Sequence, residues 1–217
     1  MSKARLKHIL IVLLLSSLSV AQGSQRTFDE IYRNPSWTPF SKEPSAFLVS
    51  AIKDVKPGKA LDVATGQGRN AVYLATKGWD VTGFDISEVG LKAANENAAK
   101  AGVKITTLKA RFEDFDYGTA RWDLICFIYV PTQLTVDSKF IARIRTALKP
   151  GGLMLFTIKL RLLSPAVPES SLTESEKMNA LLKAWSDLQI VFYEETVGVG
   201  EWFLFRGRIV QLLARKL

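Results

Sequence analysis

The part of the sequence best suited to chemistry is a pair of glycines that is followed, later in the chain, by an aspartate. Gly66 and Gly68 stand between an apolar run and a helical pattern, within LDVATGQGRNA at 61–71. Glycine allows backbone angles and a close approach to a ligand that a side chain would block, and the helix that follows has unpaired N–H groups in its first turn. Asp85, 17 residues beyond Gly68, ends the next apolar run, where a carboxylate can accept both hydroxyls of a ribose. The segment predicts a ligand lying across the ends of adjacent strands.

Two scarce residue types limit the chemistry. The chain has one cysteine, Cys126, and one histidine, His8, among 217 residues. A single cysteine excludes an intrachain disulfide and any multi-cysteine metal site. His8 lies in a segment that processing could remove, and its loss would exclude Ser-His-Asp and Cys-His catalysis. We therefore expect no metal site, and we expect Cys126 to be a core residue because it lies in an apolar run.

Strand and helix patterns alternate along the chain. Alternation of this kind predicts a parallel sheet with helices on both faces. Only the four residues 197–200 separate the last two strands, so these strands form a hairpin and one of them must run antiparallel. The predicted strands are Lys59–Ala64, Trp79–Phe84, Val103–Leu108, Trp122–Tyr129, Leu153–Lys159, Leu188–Thr196 and Glu201–Ala214, and the predicted helices are Pro44–Val55, Arg69–Lys77, Ser87–Lys100, Val136–Leu148 and Thr173–Asp187.

This pattern is compatible with two families of cofactor-binding proteins. The spacing Gly66-x-Gly68-x-x-Ala71 fits the relaxed fingerprint for dinucleotides, which predicts an NAD(P)-dependent oxidoreductase. However, Asp62 stands four residues before the first glycine, where a dinucleotide strand is usually apolar, and the chain ends in a hairpin preceded by LKPGG at 148–152. Together these features resemble the class I S-adenosylmethionine-dependent methyltransferases. The resemblance implies an α/β, Rossmann-like three-layer sandwich whose seven-stranded, mostly parallel sheet has an antiparallel last strand.

Within that class, the likeness is greatest to small-molecule methyltransferases of the tellurite-resistance and thiopurine type. The short N-terminal segment of that group is matched here by Tyr32, Phe40 and EPSAF at 43–47, and its glycine loop is matched by GQGRNA at 66–71. The resemblance implies S-adenosylmethionine as cofactor and methyl transfer to a small-molecule acceptor. An exported, non-catalytic binding module that has kept the fold is a further alternative.

The resemblance also implies where the cofactor lies. The loop contacts its amino-acid part, Asp85 binds the ribose with Ile86 beside it, Phe112 flanks the adenine, and Glu113 takes the adenine amino group. The loop departs from the family at Ala64, where glycine is usual, and at Thr65, where cysteine or alanine is common, so a methyl group stands close to the cofactor. The predicted loop contacts are Asp62, Ala64, Thr65, Gly66, Gln67, Gly68 and Asn70.

Methyl transfer from a sulfonium requires mainly alignment of donor and acceptor and exclusion of water. A soft acceptor such as a thiol needs little help from a base, so a mature chain without histidine is compatible with this reaction. If a base takes part, the candidates are Tyr129, Tyr32 and Glu201. Tyr129 has two interpretations, a hydrogen bond to the substrate or simple packing.

The first 21 residues have the three-part pattern of a secretory signal peptide. Lys3, Arg5 and Lys7 precede an apolar run from Ile9 to Val20, and small residues surround a cleavage position after Ala21. The pattern predicts export to the periplasm or beyond the cell. An uncleaved anchor, or a start assigned too early, would instead leave the protein in the cytoplasm.

The remaining chain divides into a lead with the first helix at 22–56 and a Rossmann-like domain at 57–217. The formal net charge of the chain is +8. Without the leader's three basic residues, 26 basic residues remain against 21 acidic ones, and they are scattered. Scattered charge favours a solvated surface over a nucleic-acid footprint. We expect a small-molecule substrate, no nucleic-acid partner, and no stable membrane span once the leader is cleaved.

Overall fold

The computed structural model describes residues 28–34, 41–160, 174–201 and 206–217. The predicted leader and Phe40 lie outside these ranges, so the leader stays a prediction. The described helices are α1 at 28–33, α2 Ala46–Ala51, α3 Arg69–Thr76, α4 Glu88–Lys100, α5 Ser138–Ala147 and α6 Glu174–Ala184, with a 3-10 turn at Thr132–Val136. The strands are β1 Lys59–Val63, β2 Asp80–Asp85, β3 Thr106–Lys109, β4 Trp122–Ile128, β5 Leu148–Leu160, β6 Gln189–Val199 and β7 Arg206–Arg215.

All seven strands form one sheet in the order β3-β2-β1-β4-β5-β7-β6. Every pair from β3 to β5 is parallel, whereas β7 runs antiparallel to both β5 and β6. The predicted Rossmann-like fold with an antiparallel last strand is therefore confirmed. The strand order reverses direction between β1 and β4, and open sheets of this kind bind ligands at the carboxyl ends of the strands beside such a reversal.

Alternating side chains of the central strand β4 build the core on both faces of the sheet. Ile125 and Phe127 belong to a cluster that includes α5 and Trp185, which follows α6. Leu124 and Cys126 belong to a second cluster that includes α2 and α3. Because successive strand residues point to opposite faces, a continuously apolar strand is what two helical layers require, and the lone cysteine is fully buried in the second cluster.

Several element ends differ from the sequence prediction. The helix predicted at 44–55 covers only Ala46–Ala51, because the chain continues in tight turns in which Lys53 and Val55 donate to carbonyls three residues back. The strand predicted from 103 begins at Thr106, because the Val103 N–H closes the end of α4 on the Ala98 carbonyl at 3.0 Å. Both differences come from backbone bonds that tighten the end of a helix.

The C-terminal hairpin is also longer than predicted. β6 continues to Val199, through residues expected to form the turn, and pairs with β7 over most of its length. β7 begins at Arg206, and residues 202–205 lie outside the described ranges. Glu201, expected in the last strand, instead lies just beyond β6 and close to the carboxyl end of β4.

Candidate functional site

The loop after β1 turns the chain sharply from the sheet into α3. Three of its residues have left-handed backbones, with φ of 56° at Ala64, 53° at Gly66 and 78° at Gly68. The Gly68 N–H donates to the Thr65 carbonyl at 2.9 Å, which closes the turn. A Cβ atom on Gly68 would lie 2.8 Å from the Cβ of Ala94 in α4, so glycine is needed there for helix packing as well as for backbone angle.

Ala64 has a left-handed backbone conformation, which favours glycine over alanine. A left-handed residue with a Cβ is strained by roughly 1–2 kcal/mol, and strain of this kind concentrates at functional sites. The loop therefore forms with alanine at the position where the family usually has glycine, and the backbone at that residue is strained. The methyl group of Ala64 then faces the cleft that a ligand would enter.

Asp62 is buried directly beneath this loop. One of its carboxylate oxygens accepts a hydrogen bond from the Thr65 hydroxyl at 2.7 Å, and the other lies 3.5 Å from the Cys126 sulfur. Burial raises the pKa of Asp62 to about 6, against the opposing effect of the Thr65 hydrogen bond. Thr65 thus has a role at a position where the family has smaller residues, since it shapes the loop and stabilises the carboxylate.

Asp85 joins the glycine loop to the next helix. Its two oxygens accept hydrogen bonds from the Gly66 and Ser87 N–H groups, each at 2.9 Å. Burial raises its pKa, and these backbone hydrogen bonds oppose the rise. The Ser87 side chain caps α4 by accepting from the Gly90 N–H at 3.0 Å, and its hydroxyl donates to Asp29 of α1.

Two cavities meet above the loop. The first, of about 370 Å³, opens at the carboxyl ends of β1, β2 and β4, and the second, of about 520 Å³, follows the glycine loop toward α3. Tyr32, Ala64 and Ile128 line both of them. Because they share these lining residues, the two cavities adjoin, and together they are called the cleft below.

The structure brings most of the predicted cofactor residues to this cleft. Asp85, Ile86 and Phe112 line the first cavity, Thr65, Gly66, Gln67 and Asn70 line the second, and Ala64 lines both. Asp62 lies below the loop and Gly68 faces α4, so these two shape the loop from behind.

Glu113 is not brought to the cleft. Its side chain is 66% exposed, faces Arg111 at 3.5 Å, and lines a separate surface depression. Phe112, in contrast, lines the cleft and packs edge-on against Phe84 of β2.

The three candidate bases differ in surroundings. The Tyr32 hydroxyl lies 2.6 Å from the position that a Cβ atom on Gly66 would occupy, and burial together with the nearby Asp85 and Asp62 carboxylates raises its pKa. Burial likewise raises the pKa of Tyr129. Both phenols are therefore protonated at neutral pH. The Glu201 carboxylate pairs with Arg69 at 2.8 Å.

Two polar residues of this region were missed by the sequence analysis. Asp29 fastens α1 to the cap of α4 through Ser87, a partner 58 positions away. Arg69, the first residue of α3, reaches Glu201 across 132 positions. Charge complementarity is the only signal that the sequence carries for Arg69 and Glu201, and it does not select one partner among many; Asp29 and the neutral Ser87 lack even that signal.

Comparison with known proteins identifies the central part of the chain. Residues 60–152 match the model of a family described as a methyltransferase domain. The chain carries a methyltransferase domain. The resemblance to class I S-adenosylmethionine-dependent methyltransferases is thereby confirmed, and S-adenosylmethionine is the cofactor that this family implies.

Individual relatives agree with the methyltransferase domain. The probable S-adenosyl-L-methionine-dependent methyltransferase TehB of Haemophilus influenzae is 42% identical over 60 residues, which are 28% of this chain and 21% of TehB. Hemagglutinin 1 of Eikenella corrodens is 28% identical over 169 residues, 75% of this chain and 54% of that protein. Ribosomal RNA small subunit methyltransferase C of Alcanivorax borkumensis is 32% identical over 120 residues, 52% and 36% of the two chains. The chain thus spans about half the length, or less, of these curated relatives.

A solved structure shares the fold. The crystal structure of TehB from Haemophilus influenzae matches with a TM-score of 0.64 and 24% identity, and the match covers 78% of this chain and 61% of that one. At this identity the match establishes the fold of the methyltransferase domain.

The cleft has the features that S-adenosylmethionine requires. The glycine loop lines the second cavity, and Asp85 and the aromatic side chain of Phe112 line the first, which suits a ligand with a charged amino-acid part, a ribose and a flat base. The glycine loop, which Asp62 supports from below, would hold the amino-acid part, Asp85 would hold the ribose, and Ile86 and Phe112 the adenine. Within the described ranges, no cluster of three metal-ligating side chains occurs, and no helix has the length and apolarity needed to cross a membrane.

Proposed function

We propose that this protein transfers the methyl group of S-adenosylmethionine to a small, largely apolar acceptor. One observation carries the proposal: among the residues that the structure describes, the first cavity has a single charged lining residue, Asp85, amid aromatic and aliphatic side chains. Apolar walls exclude water from the reacting atoms. A nucleic-acid backbone, in contrast, is bound by lysine and arginine side chains; among the described residues none lines this cavity, whereas Lys42 and Arg69 line the second.

The chain's own residues supply position and a dry environment. When bound, S-adenosylmethionine supplies an electrophilic methyl group, which passes to the acceptor atom as the neutral thioether is released. Asp85 and the glycine loop orient the cofactor, while Ile128, Val130 and Pro131 at the end of β4 form the apolar wall beside it. The proton displaced from the acceptor passes to solvent. Orientation of this kind can account for a large part of a rate enhancement.

Calorimetry on the full chain tests the cofactor part of the proposal. We expect S-adenosylmethionine and its demethylated product to bind with micromolar dissociation constants, and Asp85→Asn to weaken both at least tenfold. Asp80→Asn is the matched control, because Asp80 begins the same strand at its other end and is exposed. Absence of binding to well-folded protein would contradict the proposal, and NAD(P)H binding in its place would favour the oxidoreductase alternative.

A transfer assay tests the class of acceptor. Radiolabelled cofactor is incubated with a thiol, a phenol and, in a separate reaction, ribosomal RNA. We expect label in one of the small molecules. Label in RNA alone would refute the small-molecule acceptor while leaving the methyltransferase activity in place.

A further inference from the structure

The end of β4 carries a strained tyrosine in the wall of the first cavity. Tyr129 has a φ of 62°, although it is not glycine, and its N–H donates to the Thr157 carbonyl at 2.7 Å. The chain therefore stays in register with β5 for one residue beyond the strand while it turns. The tyrosine side chain lines the cavity beside Ile128 and Val130.

Among the described residues, the Tyr129 hydroxyl has one hydrogen-bond partner. It accepts a hydrogen bond from the backbone N–H of Glu201 at 3.1 Å. Among the residues that the structure describes, none accepts the hydroxyl's own proton. Because burial raises its pKa, the group keeps that proton at neutral pH. Tyr129 is only partly buried, so this proton is available to an acceptor atom of a ligand bound in the cavity that the residue lines.

Glu201 is itself immobilised by several segments. Its carbonyl accepts from the Ser41 N–H at 3.0 Å, one carboxylate oxygen accepts from the Ala46 N–H at 3.2 Å, and the other pairs with Arg69 at 2.8 Å. Arg69 donates in addition to the Glu43 carbonyl at 2.8 Å. The residue thus ties the lead before α2 to the first residue of α3.

This arrangement separates two roles that the sequence leaves open. Both carboxylate oxygens of Glu201 are engaged by partners, so they are poorly placed to remove a proton. Its backbone N–H, in contrast, donates to the hydroxyl of Tyr129, a residue that lines the first cavity. The side chains of the Arg69–Glu201 ion pair are only 14% and 27% exposed.

We propose that Tyr129 donates a hydrogen bond to the acceptor atom of the substrate, and that Glu201 is a positioning residue that aims this donor. The inference rests on the proposed methyl transfer and names its substrate class: a neutral O–H compound of phenol type whose anion is the nucleophile. A hydrogen bond to that anion favours the ionised form. The phenol loses its proton to solvent, and the oxygen lone pair forms the new bond to the methyl carbon.

A coloured phenol tests the proposal without relying on turnover. We would titrate 4-nitrophenol into the full chain saturated with the demethylated cofactor, and follow the ionisation of the bound phenol by its visible absorbance. We expect Tyr129→Phe to raise the pKa of the bound phenol by about one unit, equivalent to roughly a tenfold loss of preference for the anion. Glu201→Ala should shift it in the same direction, whereas the affinity for S-adenosylmethionine should stay within about threefold.

The hairpin provides matched controls. Glu195 pairs with Arg208 at 2.7 Å, as Glu201 does with Arg69, and Tyr193 hydrogen-bonds Glu195, but these side chains do not line either cavity. Glu195→Ala and Tyr193→Phe should leave the bound phenol unchanged, and thermal melting of all four variants shows that they fold.

Each other outcome has a definite meaning. An unchanged phenol pKa in Tyr129→Phe would show that this tyrosine only packs, and an unchanged value in Glu201→Ala would remove the positioning role. Failure of 4-nitrophenol to bind at millimolar concentration would overturn the phenol class. Failure of S-adenosylmethionine to bind the unmodified protein would instead overturn the proposed function itself.

Discussion

Replacing Ala64 by glycine should relieve strain and admit the cofactor more easily. The left-handed backbone at Ala64 is strained by roughly 1–2 kcal/mol. Glycine removes that strain but costs about 0.4–1 kcal/mol through the greater entropy of the unfolded chain, and the half-buried methyl contributes a few tenths more. The net expectation is a stabilisation of roughly 0.5 kcal/mol, or about 1–2 °C in Tm for a protein of this size.

The effect on binding is the larger part of the prediction. Ala64 lines both cavities of the cleft. Removal of its methyl group should lower the dissociation constant of S-adenosylmethionine severalfold, because the loop then offers its backbone to the ligand without an intervening side chain. Calorimetry gives the affinity and a thermal melt gives the stability.

Ala120→Gly provides the matched comparison. Ala120 also has a left-handed backbone, with φ of 43°, but it is exposed in the loop before β4, away from the cleft. Both variants should melt at or slightly above the temperature of the unmodified protein, and only Ala64→Gly should change cofactor affinity. Equal affinity in Ala64→Gly and the unmodified protein, or a fall of several degrees in its Tm, would refute the reasoning.

Three further predictions concern the loop and the adenine end of the cleft. Because the pKa of Asp62 is raised to about 6 and its ionised form would attract the cofactor's ammonium group, calorimetric affinity should fall about tenfold per pH unit below pH 6, and Asp62→Asn should abolish this dependence. Gly68→Ala should lower the free energy of unfolding in urea by roughly 2–4 kcal/mol, since its methyl meets α4, whereas Gly102→Ala, with open space around it, should lose only about 1 kcal/mol. Phe112→Ala should weaken cofactor binding at least fivefold and Glu113→Gln should leave it unchanged; the reverse order would place the adenine on the other side of the loop.

The fold could be predicted because its signals are local and repeated. The apolar run Leu124–Ile128 is short and rich in isoleucine and aromatic residues, which favours a strand covered on both faces. The short separation between the last two strands determines their antiparallel pairing without any knowledge of the rest of the sheet. Element ends were less predictable, because bonds such as that from Val103 to Ala98 depend on how each helix finishes.

The candidate site was predictable only where residues follow a strand directly. Asp85 and the glycine loop take their positions from the strand ends, so their placement comes with the fold. Glu113 follows a short loop segment, and since its neighbour Phe112 points into the cleft, the acid is directed away from it. Contacts such as Arg69 with Glu201 join residues that are adjacent only after the sheet has formed.

The charged groups around the cleft are engaged in building it, which limits the chemistry that it can perform. Asp85 accepts hydrogen bonds from two backbone N–H groups, and Asp62 accepts one from the Thr65 hydroxyl. Glu201 accepts hydrogen bonds from a backbone N–H and from Arg69. Both tyrosines keep their protons at neutral pH. Among the described residues that line the cleft, none is thus poised as a strong base, and the acceptor must ionise with the help of a hydrogen-bond donor or be nucleophilic without ionising. Phenols with electron-withdrawing substituents, which ionise near neutral pH, should therefore be methylated faster than unsubstituted phenol, and the opposite order would require a base that the cleft does not provide.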